Sequence, residues 1–527
     1  MVKRILPLLL LVGCASSATE PTLTDTQLLI RASLDLRGVR PSVAELDRIE
    51  DDPDALPELV EEYLQDPRFG DRMRALYTPV LRTRIDAFPV DAQEYGLEDD
   101  AAFQAAVGEE VPRMVGRVAR DDLPFTELVV GDWTMAEGIL EQVWPVQRDA
   151  GEGEWRPARY TDGRPAAGIL ATNSLWWRYP SNGVNFNRGR ANALSRILLC
   201  NDYLAREVDF PRDVDLTDGA LVDDALRNNP GCVNCHVSLD PIGSYLFGFQ
   251  YPANAEAADA SIYHPERERG WQATTGVAPG WYGEPGYSLS DLGRQIAADP
   301  RFVDCAVETV FEGLVSRDVG LDDADALSQH REAFLAGGAT LRPLVRSILS
   351  DPAWLGDAAE RNAAVRKIAT PDLLASQIED LTGYRLTVNG VELMETDRFG
   401  LRSLAGGVDG ATGTAPARTP TPTMVLVQER LAEGAAFHVA TADAASPPGS
   451  GRRLFQVDFA DSSPATLAAE VARLHRRLFG TRVENDDPEV AEAVDLFATL
   501  LDLEGDPVRA WAGVLTALLR DPDLLLY

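Results

Sequence analysis

Five consecutive residues, Cys232-Val233-Asn234-Cys235-His236, set two thiols and an imidazole at positions i, i+3 and i+4. On a helical turn these positions share a face, so both sulfurs can reach one planar group while the ring addresses its centre. This is the spacing with which a c-type haem is attached, the thiols bonding its vinyl groups and the imidazole serving as proximal iron ligand. Two other chemistries use the same residue types. Cys232 and Cys235 could close a redox or structural disulfide, or join a zinc site, although no second cysteine pair lies nearby to complete four ligands. One covalent haem c is the reading these residues favour.

An iron held by His236 has a sixth position to fill. The nearest downstream histidine is His264, in Tyr263-His264-Pro265-Glu266, and no methionine intervenes between His236 and Met394. His264 is therefore the candidate distal ligand, with a remote methionine (Met114, Met135, Met394 or Met424) and an open iron as the alternatives. A carbonyl from the Leu239-to-Ile242 turn is expected to accept from His236 Nδ1 and fix the ring. Phe247 and Phe249 could pack either on a macrocycle or in an ordinary core.

Haem attachment needs an extracytoplasmic compartment, and the amino terminus directs the chain there. Met1-Val2-Lys3-Arg4 precedes an apolar run from Ile5 to Val12 and then Gly13-Cys14, a basic region and a short apolar one too brief to span a bilayer. The order Leu11-Val12-Gly13-Cys14 resembles the lipobox of bacterial lipoproteins, in which residues 1–13 are removed and the cysteine is acylated. The alternative is an ordinary buried cysteine in an uncleaved helix. Ala15 after the cysteine, by resemblance to enteric sorting rules, favours the outer membrane, facing the periplasm or the surface. Residues 14–24, small and polar, read as a tether. With the lipid and haem cysteines assigned, Cys200 and Cys305 remain, and an oxidising compartment favours a structural disulfide between them over two buried free thiols.

The formal charge is −34 over 527 residues, which makes nucleic acid and anionic lipid poor partners. Lys367 is the sole lysine after the leader, and the remaining positive charge is arginine. This composition fits either a salt-adapted or GC-rich source or a docking face for a basic protein.

To position the motif, the chain offers mainly helix: apolar residues recur at three- and four-residue steps, so the expected fold is mainly α and multi-helical, with a cytochrome-c-like haem segment. Residues 25–165 are expected to form an amino-terminal helical domain, 166–358 the haem-bearing one and 359–527 a carboxyl-terminal one, with loop-rich stretches at 405–423 and 444–453. Four helical stretches close on Asp-Pro and a large apolar residue: Asp66-Pro67-Phe69, Asp299-Pro300-Phe302, Asp351-Pro352-Trp354 and Asp521-Pro522-Leu524. Proline suits the first turn of a helix and aspartate caps it, so each marks a corner between helices. Residues 307–355 and 471–524 look like two copies of one unit, a possible internal duplication.

The run from Asn229 through Cys232-Val233-Asn234-Cys235-His236 to Asp240-Pro241-Ile242-Gly243 and Phe247-Gly248-Phe249 resembles the haem segment of uncharacterised multidomain cytochrome-c-like proteins of planctomycetes and myxobacteria. Leu34 to Pro41 and Leu64 to Gly70 are similar to that family's amino-terminal domain. Gly168 to Leu170, Asn187-Arg188-Gly189-Arg190 and Leu198 to Cys200 are similar to the stretch before its haem motif, and Arg301 to Arg317 to the domain after it. The chain departs from the pattern at Ser244 to Phe249 and in a long insert from Tyr251 to Pro285. The resemblance strengthens the haem reading; it implies no particular activity.

Other motifs say less. Trp176-Trp177-Arg178-Tyr179-Pro180 could line a sugar or haem surface, but core packing is the usual use of such clusters. No phosphate-binding glycine loop, serine nucleophile elbow or His-Glu-x-x-His motif is present. Three functions are then expected, in order. The first is a lipid-anchored monohaem protein passing electrons to or from a redox protein partner. The second is a haem enzyme with an open iron, peroxidase-like or oxidative towards an envelope substrate. The third is a non-catalytic envelope scaffold.

Overall fold

The structure, a computed structural model, describes residues 23–527 apart from 86–87, 89, 182–183, 207–214, 216, 252–256, 357–365, 389 and 448–450. The expected leader and Cys14 lie outside the described residues. Those described form 24 α-helices, from Asp25–Arg37 to Pro507–Leu519, and the fold is mainly α. Thr24, the last residue of the expected tether, caps the first helix. Strand is confined to an antiparallel sheet of Thr134–Ala136, Arg156–Tyr160 and Val146–Arg148 and to two-residue hairpins. No helix among the described residues is long and apolar enough to cross a membrane.

The Asp-Pro corners are built alike. The carboxylates of Asp66, Asp299, Asp351 and Asp521 accept from the backbone N–H two residues on, at 2.9, 3.0, 2.8 and 2.8 Å. Each satisfies a donor that the first helical turn leaves free, while the proline has no N–H to satisfy. The apolar residue after each corner, Phe69, Phe302, Trp354 or Leu524, is buried and anchors the new helix. The two similar stretches share an element order. Pro300–Val315, Ala324–Ala336 and Leu341–Leu349 precede the corner at Asp351, and Pro464–Phe479, Pro488–Glu504 and Pro507–Leu519 precede the corner at Asp521.

One apolar core runs from Leu29 to Leu525 and is continuous across the positions expected to divide domains. Phe125 stacks on Phe302 with ring centroids 5.2 Å apart, and Arg31 Nη1 donates to the Trp354 carbonyl at 2.6 Å. The carboxyl terminus closes the body: Lys367 N donates to Tyr527 O at 2.7 Å and Tyr527 N returns to Lys367 O at 2.9 Å. A smaller core gathers Phe88, Phe103, Trp144 and Trp177 against the three-stranded sheet.

Candidate functional site

The cysteine-histidine motif lies on the helix Pro230–Ser244. Asn229 Oδ1 accepts from Gly231 N at 3.0 Å and Pro230 takes the first helical position, so the helix begins two residues before Cys232. The helices Gly219–Asn228 and Arg188–Leu199 pack beside it. At its far end Gly243 lies so close to the Phe186–Asn187 backbone that a Cβ there would meet Phe186 O at 2.8 Å. Ser244 Oγ donates to Val277 O at 2.8 Å and ties the helix to the following loop.

Cys232 and Cys235 are unpaired, half-buried thiols on one stripe of this helix. His236 lines a cavity of about 350 Å³ whose wall includes neither thiol, Cys235 packing instead against the main core. The wall is apolar at Phe186, Leu226, Val233, Val237, Pro241 and Val277, and charged at Arg188, Asp223, Arg227 and Asp240. His236 Nδ1 lies 3.0 Å from Asp240 Oδ1, one helical turn on. The same carboxylate accepts from Arg188 Nε at 2.6 Å and Nη2 at 3.2 Å. Burial works to raise the Asp240 carboxyl, but the hydrogen bonds from His236 and Arg188 outweigh it and hold the group below the usual carboxylate range. Asp240 is thus an anion able to fix the tautomer with the proton on Nδ1, which leaves the Nε2 lone pair for a ligand bond. The acceptor for His236 is this side chain and not the expected backbone carbonyl.

The donor set suits a covalently bound haem: two free thiols, an imidazole with its outer nitrogen engaged, and a wall that is apolar on one part and charged on another. It does not suit a bare ion. Among the described residues no group of three or more His, Cys, Asp or Glu side chains is gathered to hold one.

His264 is not brought to this cavity. Its Nδ1 lies 3.0 Å from Glu266 Oε1 and its Nε2 lies 2.9 Å from Asp259 O, so both ring nitrogens are engaged within their own loop. Met114, Met135, Met394 and Met424 are buried in the core and none lines the cavity. Phe249 packs between Trp176 and Tyr263, with centroids 5.8 and 4.9 Å away, and Phe247 is likewise buried away from the cavity. Trp176 and Trp177 are core residues as well. Cys200, at the end of the helix Arg188–Leu199, and Cys305 in the helix Pro300–Val315 form a disulfide. Sequence reasoning passed over Asp240 and Arg188. The signal for the first was its i, i+4 spacing from His236; nothing local announces the second.

Residues 14–130 match the family described as PSCyt2, a protein of unknown function (DUF1549), which is found in planctomycete-type cytochrome-c-like proteins. That match covers the amino-terminal helices and ends before the motif helix. No curated protein and no solved structure matches the chain.

Proposed function

We propose that this chain is a lipid-anchored, extracytoplasmic c-type monohaem protein that passes electrons to or from a protein partner. The observation that carries the reading is the arrangement on the helix Pro230–Ser244: two free thiols, one and four residues before an imidazole whose Nδ1 is engaged by Asp240 and whose ring lines a cavity of mixed apolar and charged wall. A haem held there supplies one-electron redox chemistry. Cys232 and Cys235 attach it, His236 ligates the iron, and Asp240 with Arg188 sets the orientation and basicity of the imidazole. Val237, 65% exposed on the cavity wall, leaves an apolar edge at the surface, where a partner can approach. The lipobox-like Cys14 supplies the anchor in an envelope membrane, with the outer membrane preferred. The family match over residues 14–130 supports kinship with the multidomain cytochrome-c-like proteins that the motif region resembles.

One observation favours a second reading. Among the described residues no histidine other than His236 and no methionine lines the cavity, and an exchangeable iron position would suit a haem enzyme.

The test is an intact mass and an absorbance spectrum, oxidised and reduced, on protein secreted by a host with c-type maturation machinery. A covalent haem mass, lost in the Cys232→Ala and Cys235→Ala variants, is expected. A low-spin reduced spectrum indifferent to carbon monoxide supports electron transfer, whereas carbon monoxide binding supports the enzyme. Folded protein without haem overturns both and leaves the envelope scaffold.

A further inference from the structure

The chain beyond the motif helix returns to complete the cavity that His236 lines. Thr274, Thr275 and Val277 stand on its wall, and Ser244 Oγ donates to Val277 O at 2.8 Å. Upstream of that wall the stretch folds around the buried His264. His264 N donates to Gly248 O at 2.9 Å, and Tyr263 lies so close to Gly248 that a Cβ there would meet its ring at 2.2 Å. The histidine is thereby fixed against the turn Phe247–Phe249 that follows the motif helix.

Both ring nitrogens of His264 face acceptors. Nε2 lies 2.9 Å from the Asp259 carbonyl and 3.3 Å from Asp259 Oδ1, and Nδ1 lies 3.0 Å from Glu266 Oε1. A carbonyl never donates, so Nε2 needs a proton to bond there, and the Glu266 carboxylate asks the same of Nδ1. The Glu266 carboxyl is held below the usual range by its own backbone N–H and further by His264, and the hydrogen bond from Arg267 does the same for Asp259. Both groups stay anionic across the range in which a histidine changes charge. Among the described residues Arg267 is the other charged group at the ring, 2.9 Å from Asp259 Oδ1 and 3.7 Å from Glu266 Oε1. Phe247–Phe249 carries no charge, and the nearby Asp162 and Glu268 accept from Tyr263 N and OH. Only the imidazolium donates on both sides. A neutral ring turns a lone pair either on the carbonyl or on the carboxylate, and one contact becomes repulsive.

We propose that His264 is a proton-operated clamp on the stretch from Asp259 to Val277, closing it over the His236 cavity while the ring is doubly protonated and loosening it as pH rises. Closure takes up a proton that opening releases, so acid favours the closed form and alkali the open one. Control of a haem by this clamp rests on the function proposed above; the clamp itself does not.

Hydrogen–deuterium exchange of the full chain, read by mass spectrometry between about pH 5 and pH 8 and corrected for the intrinsic effect of pH on exchange, tests this. Peptides spanning 259–277 should open about tenfold more at the upper limit than at the lower, the worth of one hydrogen bond to a charged group, while the helix Arg68–Leu81 shows no such change. In His264→Gln, uncharged at every pH, the dependence should vanish. Glu266→Gln keeps the ring and offers the neutral Nδ1 an amide N–H, so it should flatten the dependence too, and it serves should His264→Gln distort the loop. Exchange independent of pH in the parent overturns the proposal, as does a pH dependence that persists in both variants. Intact mass of the same sample reports haem separately, so a pH-dependent loop on protein without haem sinks the cofactor and keeps the clamp.

Discussion

Asp240 answers two donors with one carboxylate, and the balance between them tunes His236. The His236 ring is drawn towards imidazolate character by an anion at 3.0 Å, while Arg188 at 2.6 Å withdraws part of that charge. Asp240→Asn keeps the shape and removes the charge. Removing the anion takes away charge that favours ferric over ferrous iron, so the potential of a haem-loaded variant should rise, each tenfold change in that preference being worth about 59 mV. Spectropotentiometric titration reads this, with intact mass confirming that the haem remains; an unchanged potential would show that Arg188 has already neutralised the carboxylate. At this scale the sequence was legible wherever the chemistry was local. Cys232, Cys235 and His236 announce themselves by spacing, but Arg188 stands 52 residues from Asp240 and only packing brings them together. His264 shows the converse, a histidine near in sequence whose ring is satisfied by Asp259 and Glu266 before it can reach the cavity.

The Asp-Pro corners were readable as elements because each combines three local rules: a capping side chain, a proline without an N–H and an apolar anchor. They are not equivalent in what they carry. The Asp521 side chain caps Asp523 N at 2.8 Å, whereas Asp299 caps Arg301 N at 3.0 Å and also accepts from the buried Trp281 Nε1 at 3.0 Å. Asp521→Ala should therefore cost about 1 kcal/mol, the ordinary loss of a cap. Asp299→Ala should cost about 2–4 kcal/mol, since the indole N–H is left without a partner as well. Urea unfolding of the two variants compares them directly; equal losses would mean that water replaces Asp299 at the indole. The Asp-Pro-x-Gly pattern after the motif was visible too, but not its meaning. Gly243 is there because the Phe186–Asn187 backbone passes 2.8 Å from where a Cβ would sit, and that approach is a property of two elements together.

Across the whole molecule, long-range ties join segments that lie far apart in the sequence. The core crosses both expected boundaries, and the Cys200–Cys305 disulfide closes a loop of 105 residues. Replacing both cysteines, Cys200→Ser with Cys305→Ala, should lower stability by about 2–4 kcal/mol, seen as a lower midpoint in chemical unfolding without loss of helical signal. The deepest tie is polar. Asp35 in the first helix takes Tyr527 OH from the last residue, Trp354 Nε1 from an Asp-Pro corner and Lys367 Nζ from the stretch that pairs with the carboxyl terminus. Composition made Lys367 conspicuous as the sole lysine after Lys3, yet its burial against a residue 332 positions away has no local signature.

That burial has a measurable consequence. Loss of solvent pulls the Lys367 ammonium down from 10.5 to about 7, against the opposing pull of Asp35. The unfolded chain keeps this proton up to the ordinary lysine value, while the folded chain gives it up near 7, so between those limits the unfolded state binds more protons. The burden that Lys367 places on folding is therefore full below about pH 7 and lifts as pH rises towards 10.5, by at most about 1.4 kcal/mol per pH unit. Tyrosines titrate in the upper part of this range in any variant, so the informative quantity is a difference. Stability of the parent minus that of Lys367→Met, from urea unfolding at successive pH values between 7 and 9.5, should climb with pH. A flat difference would mean that Asp35 holds the ammonium charged throughout, and that the hub joining the two ends of the chain is a permanent ion pair.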